Sequence, residues 1–411
     1  MLPFFKNHAR FLLFGFALTF FCNFGQTFFI GIYSPDIREA FNLSSGAFGT
    51  LYGVATLASA ASLVWIGKLI DEVDLRYYTM SVFCVMVLAC VLMWQAQSLW
   101  VVGLALALLR LSGQGLMPHI SSTSMARYFT KGRGRAISIG QMGGSIGHMV
   151  FPPVAVTLVA AVGWQNSWGV YGLFMACIAL PLAMYLLKGH SQRHQNWEAE
   201  VTLAEAESGQ SSRMQQSVRK QVLTDKRFYM IIPGLMSLPL FATAFFFFPD
   251  MLLQAKGWSE VTYAWSFSFY AGAMVVCSLL GGGLVDKVGN SFSLLPFTAL
   301  PFIGALLLAI MGSHEAFLPI VLGLIGASIG FVSVVTTSIW AEIYGPRIIG
   351  AVRAIVTAIM VFSTAATPAV LGSLYDMGVS LEASYIGFIV YIILGSGLHG
   401  LLWYQQQKQT A

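Results

Sequence analysis

Charge is scarce in this sequence. Of 411 residues 17 are acidic and 22 are Lys or Arg, together 9%, against 57% hydrophobic and a mean hydropathy of +0.73. So few charges cannot cover the two or three soluble domains a chain of this length would form, and the same numbers exclude disorder. The formal charge of +5 is not gathered into a basic domain, which removes nucleic acid as a partner; Lys and Arg instead punctuate apolar runs. Cysteine is sparse as well. Cys22, Cys84, Cys90, Cys177 and Cys277 all lie inside apolar stretches, with no C-x-x-C pair and no His at metal-ligand spacing, so they read as small buried hydrophobes and neither metal nor other cofactor is expected. The composition is that of a polytopic membrane protein embedded in a lipid bilayer.

Apolar runs of about 20 residues, the length that crosses roughly 30 Å of hydrocarbon, are separated by charged, Pro-rich or Gly-rich breaks. Twelve are predicted, at 11–35, 46–69, 77–96, 99–125, 135–162, 166–187, 228–252, 261–285, 291–312, 316–341, 348–373 and 383–404. Lipid offers backbone groups no hydrogen-bond partners and the alternation of a β-barrel is missing, so the spans are helices and the fold class is an all-α membrane protein. The first run follows Lys6, His8 and Arg10 in the manner of a signal peptide. It continues for roughly 25 residues without a small-residue cleavage site and is read as the first span.

Placing the N-terminus in the cytoplasm puts every Lys and Arg except Arg38, Arg110 and Lys256 on the cytoplasmic side, which predicts both termini inside and an inner (plasma) membrane location. The one long polar segment divides the spans six and six. The expected domains are therefore a six-helix bundle at 1–187, a cytoplasmic linker at 188–227 and a second six-helix bundle at 228–411. His190 and His194 stand in that linker at i, i+4, but no carboxylate or Cys completes a metal set.

The halves repeat at an offset of about 215 residues, as internally duplicated transporter folds do. Pro35-Asp36 closing the first span answers Pro249-Asp250 closing the seventh, and Ser44 answers Ser259. Gly67-Lys68-Leu69-Ile70-Asp71 ends the second span, and Gly282-Gly283-Leu284-Val285-Asp286-Lys287-Val288-Gly289 ends the eighth. This pattern, G-x-L-x-D-R/K-x-G after the second and eighth spans, resembles the signature of the major facilitator superfamily. A second block agrees: Arg110-Leu111-Ser112-Gly113-Gln114-Gly115, then Ala126-Arg127-Tyr128-Phe129 through Gly134-Arg135-Ala136. The first loop departs from the family, with Glu72 where a basic residue is usual and Asp74 where Gly is usual; Arg76 is the candidate to supply the missing positive charge. The resemblance implies two pseudo-symmetric six-helix bundles, no enzymatic activity, a path complete in a monomer, and transport by alternating access. Gly67, Asp71, Arg76, Gly282, Asp286, Lys287 and Gly289 read either as a conformational latch, with small residues for close helix approach and carboxylates facing a helix N-terminus, or as markers of the membrane boundary.

An ionisable group at the bilayer midplane is costly unless paired or wetted, so the few present are functional candidates. Arg110 and His148 lie near mid-depth of the fourth and fifth spans. Arg110 reads as a fixed cation in a translocation path or as a packing residue bonded to neighbouring carbonyls, with Gln114 and Met117 expected on its face at i+4 and i+7. His148 reads as a proton carrier or as a neutral, hydrogen-bonded group, with Gln141 on its face. Asn23, Gln26 and Tyr33 of the first span and Trp340 of the tenth complete the candidate substrate-binding set. Asp36, Asp250, Glu315, Glu342, Arg353 and Asp376 lie near span ends and read as caps or snorkelling groups.

One buried cation, amides and aromatics without a mid-membrane carboxylate favour an anionic substrate. The expected function is secondary transport of a small organic anion, with a proton as candidate coupling ion. The stretch from Arg127 through Gly144-Ser145, with Gly147 and Pro152, is weakly similar to the monocarboxylate and oxalate:formate branch, although the basic residues of that branch's eighth span are missing. A drug or metabolite efflux pump of the same superfamily is the alternative, separated from this reading by ligand charge alone.

Overall fold

The structure, a computed structural model, describes residues 2–129, 132–195, 197, 222–288, 290–310, 314–344 and 349–410. Its regular elements among these residues are all helical. The chain order is α1 (Leu2–Phe21), a 3-10 turn (Cys22–Gly25), α2 (Thr27–Ile32), α3 (Ser34–Ala40), α4 (Ser45–Ile66), a 3-10 turn (Gly67–Asp71), α5 (Leu75–Trp94) and α6 (Leu99–Leu109). A π-helical segment (Arg110–Leu116) joins α6 to α7 (Met117–Tyr128); then come α8 (Arg133–Val162), α9 (Trp164–Phe174), a second π segment (Met175–Ala179) and α10 (Leu180–Leu186). Beyond the linker lie α11 (Lys226–Phe247), α12 (Pro249–Lys256), α13 (Glu260–Val288), α14 (Asn290–Ile310), α15 (Phe317–Tyr344), α16 (Ile349–Asp376) and α17 (Leu381–Thr410).

Among the described residues ten helices are long and apolar enough to cross a membrane, and two further apolar stretches, Thr298–Ile310 and Phe317–Val332, are shorter. These two lie where the ninth and tenth of the twelve expected spans were placed, so ten of the twelve are found at full length.

The chain divides into two compact units, one of residues Met1–Asn42 and Val54–Gln210, the other of Leu43–Gly53 and Ser211–Ala411. In each unit one span is the inner helix: 72% of the most apolar window is buried in both His8–Ile32 and Lys226–Phe247, against 50% or less for the others. Without a hydrophobic force between helices in lipid, close approach needs small residues and internal polar bonds. The first unit uses both where α1 lies on α8. A side chain on Gly143 would overlap Phe16 O and one on Gly147 would overlap Asn23, while Thr19 Oγ1 donates to Gly140 O; from α7, Ser121 Oγ donates to Gly15 O at 2.8 Å. The second unit is built around phenylalanine: Phe241 and Phe245 to Phe248 of α11 and its end are all buried.

The end of the first span is rebuilt at the end of α11. Tyr33 and Phe248 each lead into a short helix with Pro in its first turn, Asp36 or Asp250 beside it and Arg38 or Lys256 at its close, so acid and base complement the helix dipole. Lys256 is buried and bonds Glu382 at 3.0 Å. Two other span-end acids cap helix starts that lie in the second unit. Glu315 accepts from Ser259 N–H (2.6 Å) and the Thr262 hydroxyl (3.0 Å) at the start of α13, and Asp376 accepts from Ser45 N–H (3.1 Å) and Gly46 N–H (2.9 Å) at the start of α4.

Replacing Asp376 by Ala leaves those two amides without their acceptor. Thermal unfolding of the detergent-solubilised protein is expected to show a loss of about 0.5–2 kcal/mol, the usual cost of deleting a helix cap, with D376N milder because one acceptor oxygen remains.

Candidate functional site

The first span is not one continuous helix. At Gln26 the backbone turns extended (φ −80°, ψ 151°), and the Phe29 and Ile30 amides both bond Gln26 O, so Gly25 O receives neither. In hydrocarbon a released carbonyl needs a donor. Arg110 provides one: its Nη1 donates to Gly25 O and to Thr27 Oγ1, each at 3.2 Å, and its side chain is only 4% exposed. Arg110 opens the π segment of the fourth span, and that segment meets the break through glycine. A Cβ on Gly113 would lie 2.7 Å from Gly25 N and Cα, and one on Gly25 would overlap Leu109 O. Backbone touches backbone at this crossing, which brings the guanidinium within reach of the break.

His148 leans on the same short helix. Its ring lies 4.5 Å from that of Phe28, the residue after Thr27, and its Nδ1 sits 2.7 Å from Gly144 O. A carbonyl at that distance requires the proton on Nδ1, which makes Nε2 the nitrogen that takes up a second proton. Arg110 and His148, on different helices, are thus both placed by α2, one through Thr27 and one through Phe28.

The remaining candidates divide by surroundings. Gln26 is half-buried and donates to Cys22 Sγ at 3.6 Å; Gln114 is half-buried and Gln141 exposed. Asn23 is fully buried and bonds within α1 and across to Gly144 O at 3.4 Å, so it joins helices. Tyr33 is fully buried, bonded to the hydroxyls of Tyr171 (3.1 Å) and Ser167 (3.2 Å) and packed on Phe29 and Trp168. Trp340, in the second unit, is fully buried against Phe228 and Tyr344. Arg110, Gln114 and Met117 were expected on one face, but the wider π turn displaces Gln114 from the α-helical i+4 position, leaving it half-buried while Arg110 and Met117 are buried.

In the loop motif Asp71 pairs with Arg127, whose Nη1 also donates to Ile70 O at 3.1 Å, and Gly67 O receives a bond from His119 Nε2 at 3.1 Å. Arg76 is bound instead by Asp74, the N-cap of α5, through three bonds of 2.8–3.0 Å. Those bonds pull the Asp74 carboxyl down to about 2. Gly282, Asp286, Lys287 and Gly289 lie outside the residues whose side chains the structure describes. His119 and Arg127 were not among the sequence candidates. Arg127 had a signal, since it belongs to the second quoted block; His119 had none, because its partner is a backbone carbonyl on another helix. No group of three or more His, Cys, Asp or Glu that could hold a metal occurs among the described residues.

These features define a multi-pass helical membrane protein with ionisable groups placed at a broken inner helix. The chain belongs to the major facilitator superfamily, whose sequence profile matches residues 15–368. No curated protein matches it. Among solved structures it is similar to the nucleoside transporter NupG (TM-score 0.68, 11% identity, 97% of this chain and 98% of that one). It is also similar to a POT family transporter in complex with 5-aminolevulinic acid (TM-score 0.66, 12% identity, 99% and 97%) and to a bacterial homolog of the human lysosomal transporter Spinster (TM-score 0.66, 15% identity, 96% of each). At these identities the likeness is one of fold. Family and fold are those of a transporter and not of an enzyme.

The crossing at Gly25 yields a direct test. G25A forces a methyl group into Leu109 O and Gly113 and is expected to destabilise by about 1–3 kcal/mol in thermal unfolding. G144A, whose new methyl would meet only Thr19 O at 3.8 Å and Thr19 Cβ at 3.9 Å, is expected to melt like the wild type.

Proposed function

We propose that this protein is a secondary active transporter for a small organic anion, a monocarboxylate being the leading candidate, with a proton as coupling ion. The observation that supports it is Arg110, a buried guanidinium in the middle of the fourth span, held at the break in the first span by Gly25 O and Thr27 Oγ1. No Asp or Glu occurs within His8–Ile32, Leu75–Trp94, Leu99–Tyr128, Arg133–Val162 or Trp164–Leu186, so the membrane interior of the first unit is biased positive. A carboxylate suits the fork of a guanidinium, and the low dielectric strengthens the attraction. Gln26, Gln114 and Gln141 supply amides for the rest of such a ligand. The resemblance of the stretch from Arg127 to Ser145 to the monocarboxylate and oxalate:formate branch points the same way. In this reading twelve spans in two six-helix halves enclose the path, both termini are cytoplasmic, the membrane is the cell's inner one, and a monomer suffices.

His148 is the proton carrier in this proposal: with the Nδ1 proton held against Gly144 O, Nε2 is the nitrogen that would take up a second proton. With neutral Gln at this position the amide can still bond Gly144 O but takes up no proton. Transport by reconstituted H148Q is expected to lose its pH dependence while substrate binding persists; unchanged pH dependence removes His148 from the coupling step.

The substrate class is tested by thermal unfolding of the purified protein with small carboxylates, sugars, amino acids and cationic drugs at two pH values, since any ligand of the native state raises apparent stability. A carboxylate is expected to raise the melting temperature in the wild type and not in R110Q. A shift with cationic drugs alone would replace the anion reading by efflux.

A further inference from the structure

The segment that follows the sixth span folds back on the first. After the left-handed Gly189 (φ +79°), residues 190–195 are helical, and Arg10 Nη2 donates to Lys188 O at 2.5 Å. Arg193 lays its guanidinium on Phe11, 3.8 Å from the ring centre. Two guanidiniums are thereby brought together where α1 and α10 pack. Burial and the charge of Arg10 both push the Arg193 pKa down. Among the described residues neither forms an ion pair with a carboxylate. Among the described residues the Arg193 Nη1 is buried with no hydrogen-bond partner, its guanidinium resting on the Phe11 ring. Among the described residues this cationic pair carries no balancing carboxylate.

The surface leading away from this pair is apolar. Leu13, one turn from Arg10 on α1, is 41% exposed, and Leu182 and Tyr185 of α10 are 41% and 55% exposed. Lys188 stands over the Tyr185 ring at 4.9 Å, so a third cation marks the same level. Cations at the end of an exposed aliphatic and aromatic seam match one kind of molecule, with a charged head and long hydrocarbon chains.

We propose that Arg10 and Arg193 bind the phosphodiester of an anionic phospholipid, whose chains lie along the seam of Leu13, Leu182 and Tyr185 between α1 and α10. The site is separate from Arg110 and does not depend on which substrate is carried. A bound lipid ties the post-span segment to the first helix and neutralises the repulsion between the two arginines.

The full-length protein in mild detergent is melted with phosphatidylglycerol, phosphatidylcholine or inorganic phosphate, and phosphatidylglycerol affinity is measured by native mass spectrometry for wild type, R10Q/R193Q and R227Q. Phosphatidylglycerol is expected to raise the melting temperature while the other two do not. Its affinity is expected to fall in the double variant by about fivefold per charge removed, and to hold in R227Q, which alters a basic residue of the second unit. If the double variant does not purify, R10Q and R193Q singly are each expected to bind about fivefold more weakly. Equal stabilisation by phosphatidylcholine, or equal affinity in the arginine variants, would overturn the proposal. Stabilisation by inorganic phosphate alone would assign the pair to a free anion and overturn the lipid.

Discussion

Breaking a helix inside hydrocarbon releases backbone groups that water cannot reach, and the first span of this protein is broken at Gln26. The bond from Arg110 to Gly25 O meets that requirement, and much of the first unit is arranged around it. The guanidinium reaches the carbonyl because Gly113 lets the fourth span touch the first backbone to backbone. The short helix beyond the break then carries Thr27 to Arg110 and Phe28 to His148. A structural need and a functional opportunity coincide: the group that satisfies the break also places a positive charge deep in the membrane.

The two units solve the same packing problem with different residues. The inner helix of the first is held by glycines on α8 and by side chains that bond across the contact, such as Thr19 and Asn23. The inner helix of the second is lined by phenylalanine and meets α17 through Gly234 and Gly395. Glycine permits close approach in both units, while the second adds aromatic contact area where the first adds polar bonds. The repeat survives this divergence at the end of each inner helix, where Pro, an acid and a closing base recur because a short helix in either unit faces the same electrostatics.

What could be read from the sequence follows from how local each property is. Span number and position depend on runs of apolar residues, and ten of the expected twelve appear at full length among the described residues. That Arg110 turns inward and His148 partly so follows from the cost of an ionisable group in hydrocarbon. Their partners do not, because a helix tells which residues share its face and nothing of what that face meets. Tyr33 looked like Gln26, a polar side chain on the first span, yet it lies in an aromatic cluster with Tyr171 while Gln26 stays half-buried. Arg76 sat at the right place to complete the loop motif, but Asp74, two residues away, engages it first, and the guanidinium that reaches Asp71 is that of Arg127 on another helix. His119 escaped notice because its acceptor, Gly67 O, leaves no mark on composition. The π segment was equally hidden, since periodicity arguments assume one turn length throughout.

That segment makes the fourth span longer than a plain α-helix of the same reach. One extra residue between Arg110 and Leu116 turns everything beyond it by about 100° relative to α6. The faces that α6 and α7 show to their neighbours are therefore out of phase, and a single helical wheel drawn through the span describes neither. Residue number in this stretch acts as a coordinate in its own right: removing one residue changes no side chain yet redirects every one that follows, His119 and Arg127 among them.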